Sequence, residues 1–460
     1  MKIRNIIVSL CLAAASTVWA GPKYVFYFIG DGMGMGQIMA AHTYNRVALG
    51  NDSALQMMRF PYAGILTTYS ASSTVTDSAA AGTALATGHK TNNGVLGLNA
   101  DSVAVTSMAK ILHDNGWGVA LVTTVAPDDA TPGAFYAHVP NRGMYYEIGR
   151  QAADCGYEFM AGSTWRGATD KKSEPTDLMA YISSRGVDVV TTIDDAKASK
   201  SRRVFLHSAD PFNSSNVGFT IDSIPGALTL PDMTETAIEH MNKVSPDKFF
   251  MMVEGGNIDH VGHGNDGGTV AVEVVNFDQA LAKAYDFYLQ HPDETVIIVT
   301  ADHETGGLSI GNGTVGYTSH TEYIPYQRMS KDMFSRKGAE FLKNGTPSWE
   351  DVKRFTAECT GLWSHVPVSE KQEAELKALY DRAMSGNTEQ ANEKTLYASY
   401  SALASEIYRV LNTNQGFGWT TGGHSGNPVP VFAIGNGMEM FGAFLDNTQI
   451  APMLLDLINK

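Results

Sequence analysis

The sequence predicts an α/β fold: a central, mostly parallel β-sheet flanked by helices on both faces. Two observations carry that expectation. Five short apolar runs, at 24–29, 119–123, 249–253, 295–300 and 429–434, are continuous rather than alternating, as strands buried on both faces must be. Stretches of helical character lie between them, so strand and helix alternate along the chain. A third observation places the chemistry. Asp31 follows the first run, Glu254 and Asp259 the third, and Asp302-His303 the fourth. In such sheets ligands bind beyond the carboxyl ends of the strands, so these residues are expected on one rim.

The elements follow in order. Tyr24–Ile29 runs into Gly30-Asp31-Gly32. Ser102–Asn115 is expected to be a helix closed by Gly116, since glycine accepts the left-handed conformation of a C-terminal cap. Val270–Gln290 is a long helix closed by His291-Pro292. Residues 155–235 read as irregular and polar, with turn signals. Residues 308–418 carry more charge and two helical stretches, around Glu370–Met384 and Lys394–Leu411. They are expected to be an insertion forming a cap beside the rim, so that residues 21–460 make one domain.

Composition narrows the classes. The 460 residues are 43% hydrophobic, enough for a large core and too apolar for wholesale disorder. Three cysteines exclude a disulfide-stapled scaffold. A net charge of −15 argues against a protein that coats nucleic acid. The first twenty residues read as a signal peptide: Lys2 and Arg4, an apolar stretch from Ile6, and a small-x-small site at Val18-Trp19-Ala20. Export to the periplasm or medium is expected, with no membrane span. Of the cysteines, Cys155 and Cys359 remain after cleavage, and they either pair or persist as buried thiols.

Familiar nucleotide motifs fail. Gly30-Asp-Gly-Met-Gly-Met-Gly does not keep G-x-G-x-x-G spacing, and Gly82–Lys90 misses P-loop spacing by one residue and an intervening His89. Ser78 lacks the flanking glycines of a nucleophile elbow, and no H-E-x-x-H occurs. What remains is a carboxylate and imidazole constellation. Asp259 and His263 are four apart, so one helical turn presents both to one point. Asp302-His303, His424 and Asp31 join them. So many carboxylates in one pocket repel one another unless divalent cations neutralise them, and mixed carboxylate–imidazole ligands suit zinc while all-oxygen sets suit magnesium. Ser78, before an alanine-rich helix, reads either as an N-cap or as a nucleophile activated by the helix dipole and metals. Arg142 is either a surface residue after a proline turn or a fork for two phosphate oxygens. His113 and His291 read as structural and His138 as packing. His320 is either structural or a ligand for an extra metal, and Met33 and Met35 are expected to pack under the site.

Six ordered segments carry a resemblance. They are Phe28-Ile-Gly-Asp31-Gly-Met-Gly; Val75-Thr-Asp77-Ser78-Ala-Ala-Ala-Gly; Asp129-Ala-Thr131-Pro with Ala137-His-Val-Pro-Asn-Arg142; Val253-Glu254-Gly-Gly-Asn-Ile-Asp259-His260 with His263; Val299-Thr-Ala-Asp302-His303; and Thr421-Gly-Gly-His424. Across nearly the whole chain beyond residue 20, the sequence resembles an alkaline phosphatase. The resemblance implies hydrolysis of small phosphate monoesters through a phosphoserine, at a site with two Zn2+ and one Mg2+. It assigns Asp259, His263 and His424 to one zinc, and Asp31, Asp302 and His303 to the other, with Ser78 as its reactive ligand. Asp31 would also reach magnesium with Thr131 and Glu254. Arg142 would clamp phosphate, oriented by Asp77, while Asp129 and His260 lie where family members vary. A homodimer is a further family expectation. The rival readings are a metal-dependent phosphodiesterase and a noncatalytic phosphate- or metal-binding protein.

Overall fold

Ten strands join in one sheet: β1 (Tyr24–Ile29), β2 (Tyr62–Thr67), β3 (Gly118–Thr123), β4 (Phe159–Gly162), β5 (Asp188–Val190), β6 (Val204–His207), β7 (Phe249–Glu254), β8 (Thr295–Thr300), β9 (Val429–Ile434) and β10 (Phe444–Asp446). The computed structural model describes residues 21–209, 216–343, 347–385, 393–395 and 397–460; the expected signal peptide lies outside them. Spatial order is β10-β2-β9-β8-β1-β7-β3-β4-β6-β5. Every pairing is parallel except those of β9, which runs against both β8 and β2.

The five apolar runs are strands, and β1, β3, β7 and β8 are buried at every position. Their side chains alternate between two covered faces. Phe26 and Phe28 pack edge-on against Phe287 and Phe277 of the helix Gly267–Gln290. Tyr27 points the other way and meets Phe135, which stacks on Phe250. Each such ring, taken from water, contributes roughly 1.5–3 kcal/mol. A strand with only one dry face would have read as alternating.

Three expectations are corrected. The helix placed at Ser102–Asn115 is Met108–Asp114, because the Ser107 hydroxyl caps it by accepting from Lys110 N–H, and Ser102 already sits at φ 62. The stretch 155–235 is more than irregular: it supplies β4, β5 and β6, runs of three or four residues too short to stand out. In 308–418 the described residues form four helices of twelve or more residues, Lys331–Lys343, Trp349–Thr360, Glu370–Met384 and Ala402–Gln415. The last starts at Ala402 rather than Lys394, since Ser401 caps it and Glu393-Lys394 pairs with Ser399-Tyr400 as a short ladder.

These helices bury a cluster of their own, built on Phe334, Cys359, Leu376, Ile407, Tyr408 and Leu411, apart from the core around the sheet. Cys155 and Cys359 are both free thiols, so the pairing alternative falls away. Burial pushes them up to about 12 and about 11 respectively, leaving both unreactive at neutral pH. Among the described residues no helix is long and apolar enough to cross a membrane.

Candidate active site

Parallel pairing brings the ends of β1, β7 and β8 level: Ile29 lies opposite Glu254 on one side and Thr300 on the other. Asp31, Glu254 and Asp302-His303 thus leave the sheet side by side. The turn after β1 is tight. Gly32 sits at φ 72, and a Cβ there would fall 2.7 Å from Thr305 Oγ1 and 3.0 Å from Asp259 Cα, so no other residue fits. After β7 the short helix Asn257–His263 sets Asp259 Oδ2 3.4 Å from His263 Nε2. His424 arrives from the far side of the insertion, where His424-Ser425 pairs antiparallel with Glu304-Thr305.

The imidazoles are held in a defined sense. His263 Nδ1–H donates to the Gly422 carbonyl (2.7 Å), and His424 Nδ1–H donates to that of Thr76 (2.8 Å). Both Nε2 atoms therefore carry lone pairs, and they face each other at 3.2 Å. Two lone pairs at that separation repel unless a cation sits beside both. His303 stacks on His424 with centroids 3.6 Å apart, and its Nε2 lies 3.2 Å from Asp31 Oδ1 and 3.3 Å from Asp302 Oδ2. Two groups of ligand atoms result: Asp31, Asp302 and His303, and Asp259, His303 and His424, each within 4.8 Å. His303 belongs to both.

Unpaired oxygens mark the same place. Among the described residues, the buried carboxylate oxygens without a hydrogen bond are Asp31 Oδ1, Glu254 Oε1, Asp259 Oδ2 and Asp302 Oδ2; the Thr131 hydroxyl is orphaned too. An unmade bond to a buried charged group is costly, so oxygens left this way suit a metal. Titration agrees. Burial pushes Glu254 up to about 8, though the Thr123 hydroxyl, which donates to it, pulls the other way. Burial and the Asp259 charge push Asp302 up to about 7, and burial with Asp302 raises Asp31 well above the carboxylate range. Without added positive charge this pocket holds protons; divalent ions would displace them.

Ser78 Oγ lies 3.2 Å from Nε2 of His303, the residue common to the two groups. The cap of its helix, Ser78–Thr87, is Asp77, which accepts from Ala80 N–H, so Ser78 is the first helical residue and its hydroxyl is not spent on capping. All ten residues of that helix are buried, which accounts for the alanines. Arg142 is anchored at both ends, Nη1 to Asp77 Oδ2 (3.3 Å) and Nη2 to Asp129 Oδ1 (3.2 Å). Burial would raise Asp129, but Arg166 and Arg142 hold it down at about 2. Buried His260 is pushed down to about 4 and stays neutral.

A model of the alkaline phosphatase family matches residues 22–160 and 158–459. Alkaline phosphatase 4 of Bacillus subtilis is 30% identical over 443 residues, covering 95% of this chain and 88% of that protein. The chain belongs to the alkaline phosphatase family. A cold-active alkaline phosphatase from the psychrophile Shewanella sp. superposes with a TM-score of 0.78 at 27% identity, over 95% of this chain and all of that one. Thermus thermophilus alkaline phosphatase shares the fold with a TM-score of 0.79 at 24% identity, over 95% and 92% of the two chains. The phosphatase is thus a phosphoric monoester hydrolase.

Several residues of this phosphatase site carried no motif. Thr305 Oγ1–H donates to Asp259 Oδ1 (2.5 Å) and lies 3.3 Å from His303 Nδ1. Glu304 is buried and accepts four hydrogen bonds. Oε1 takes Gln37 Nε2–H (2.6 Å) and Leu308 N–H (3.1 Å); Oε2 takes Gly307 N–H (3.0 Å) and the Ser425 hydroxyl. It so ties the Asp31 side, the Asp302-His303 loop and the His424 hairpin together. Their adjacency to Asp302-His303 was the available signal. Tyr397, from the insertion, stacks on His260 at 3.6 Å, and its hydroxyl lies 3.4 Å from Arg142 Nη2. A lone tyrosine in a polar stretch gave no signal.

The remaining histidines sit elsewhere. His138 Nε2 bonds the Val105 carbonyl, His113 packs on Tyr157, and His291 caps Gly267–Gln290. His320 bonds Glu322 and joins neither ligand group. Met33 is buried beside the site, but Met35 is exposed, because it opens the helix Met35–Val47 and points outward.

Proposed function

We propose that Ser78 is the nucleophile of this phosphomonoesterase, at a site for two zinc ions and one magnesium ion. The observation that supports this best is the convergence of orphaned oxygens and Nε2 lone pairs around the Ser78 hydroxyl. Asp259, His263 and His424 would hold one zinc, and Asp31, Asp302 and His303 the other. The oxygen-only set of Asp31, Thr131 and Glu254 suits magnesium. When bound, the ions supply Lewis acidity and neutralise charge on the phosphoryl oxygens.

The chain's own groups do the rest. Arg142, fixed by Asp77 and Asp129, presents its guanidinium to phosphoryl oxygens. Ser78 at the first position of its helix meets the positive end of the dipole, where an anion is favoured. Its Oγ bonds phosphorus as the bond to the ester oxygen breaks and the alcohol leaves. Water then attacks the phosphoserine, and inorganic phosphate is released. Thr305 and the two backbone carbonyls keep the imidazoles in the orientation that leaves Nε2 free.

Ser78→Ala should lower turnover of p-nitrophenyl phosphate by at least about 1,000-fold while zinc content stays at the wild-type level. Normal turnover in that variant rules Ser78 out. Chelation should abolish wild-type activity, and zinc with magnesium should restore it. A diester hydrolysed more efficiently than the monoester would favour the phosphodiesterase reading instead. The leader motif supports an exported enzyme, and a homodimer is proposed from family resemblance.

A further inference from the structure

Asp129 lies between two arginines. Its Oδ1 is 3.2 Å from Arg142 Nη2, and its Oδ2 is 2.9 Å from Arg166 Nη1. Arg166 comes from a separate segment that no motif marks, and it is firmly placed. Its guanidinium lies 4.1 Å over the Tyr145 ring, and its backbone N–H donates to Asp128 Oδ1 at 3.0 Å. Arg142 also faces Asp77 Oδ2 at 3.3 Å. Asp77 and Asp129 are therefore matched one for one by the guanidiniums of Arg142 and Arg166 beside Ser78. Without Arg166 the same group would be one charge more negative where a phosphate dianion has to dock. Asp129 would also turn wholly on Arg142, competing with phosphate for the same N–H donors. Both effects act in a site largely shielded from water, where Coulomb interactions are strong.

We propose that Arg166 is a positioning residue for phosphate recognition: by sharing the Asp129 carboxylate, it leaves the Arg142 fork available to phosphoryl oxygens. The inference rests on the reading of Arg142 as the phosphate clamp. It makes a prediction of opposite signs. Removing the cation weakens phosphate, removing the anion strengthens it, and removing both restores the charge balance.

The test is competitive inhibition by inorganic phosphate, with KM and kcat for p-nitrophenyl phosphate, in metal-loaded enzyme. Arg166→Gln should raise the phosphate inhibition constant and KM about 10-fold, with kcat moving less. Asp129→Asn should lower the inhibition constant, and Asn remains a good helix cap at that position. The double variant should return to within about 3-fold of wild type, as coupled neighbours do. Arg166→Lys, which keeps the charge, should stay close to wild type. An unchanged inhibition constant in Arg166→Gln, or a double variant no better than that single one, overturns the proposal. Arg142→Ala separates the two readings. If it leaves phosphate inhibition unchanged, the clamp itself is wrong; if it weakens inhibition while Arg166→Gln does not, only the role of Arg166 is wrong.

Discussion

The sheet rim and the 308–418 insertion place side chains near the same chemistry by different means. On the rim, Asp31, Glu254, Asp259, His263 and Asp302-His303 lie in or directly after strands and a helix that are buried throughout; backbone carbonyls hold Nδ1 of His263 and His424, and the Thr305 hydroxyl donates to Asp259. The insertion packs on its own cluster of Phe334, Ile407 and Tyr408 and reaches the site through Tyr397, whose hydroxyl is 3.4 Å from Arg142. The difference teaches where precision has to reside. Groups that hold cations need rigid support from several directions, whereas a residue that trims the entrance can come from a separately packed unit.

The strongest way to break that comparison is at Glu304. Its four hydrogen bonds join Gln37, the loop after Asp302-His303 and the His424 hairpin. Glu304→Gln would place an amide N–H2 against donors, so the hairpin loosens. Zinc should then leave to a chelator about 10- to 100-fold faster than from wild type, the usual cost of losing support behind a metal ligand. Ser425→Ala should act in the same direction, and Ser425→Thr should restore retention. Zinc retention unchanged in all three would mean that the rim does not depend on this support.

A middle-sized effect lies at the joint between the two regions. Asp222, from the sheet side, accepts from Ser330 N–H (2.8 Å) and the Ser330 hydroxyl (2.7 Å), just before the first helix of the insertion. Burial pushes its carboxyl up to about 6 despite those bonds, and Asp266 and Asp332 add repulsion. Between pH 4 and 6 the native chain keeps a proton that the unfolded chain has released. The stabilisation from that proton is complete below the unfolded pKa and lost as pH rises through about 6. Asp222→Asn cannot ionise. Its stability relative to wild type should improve from pH 4.5 to 7 by about 2 kcal/mol, read from thermal unfolding at both pH values. A difference that does not vary with pH would show that the joint carries no such penalty.

The legible part of the molecule follows the same division. Continuous apolar runs marked β1, β7 and β8, and the residues placed after them lie on one rim, because parallel pairing is what puts strand ends level. Asp259 and His263 were readable from helical spacing alone. The short strands β4, β5 and β6 were not, since runs of three or four residues leave no period to detect. Glu304 and Arg166 were missed for another reason: each acts on a partner far away in sequence, 121 residues to Ser425 and 37 to Asp129, and spacing says nothing about such pairs. The Ser401 cap moved a helix start by eight residues, because Glu393-Lys394 and Ser399-Tyr400 pair as a short ladder instead.

The smallest effect is the most informative about the insertion. Tyr397→Phe keeps the ring on His260 and removes only a long hydroxyl contact to Arg142. A single hydrogen bond at that length sits near the low end of net values, so kcat/KM should fall about 2-fold. Tyr397→Ala also removes the stacked ring and opens the Arg142 side to water, so its loss should be several-fold larger, with KM rising more than kcat. A loss from Tyr397→Phe as great as that from Arg142→Ala would put the insertion on the same footing as the rim. No change in either tyrosine variant would detach it from recognition altogether. The expected intermediate result fits a residue that stacks on His260 and touches Arg142 only through a long hydroxyl contact.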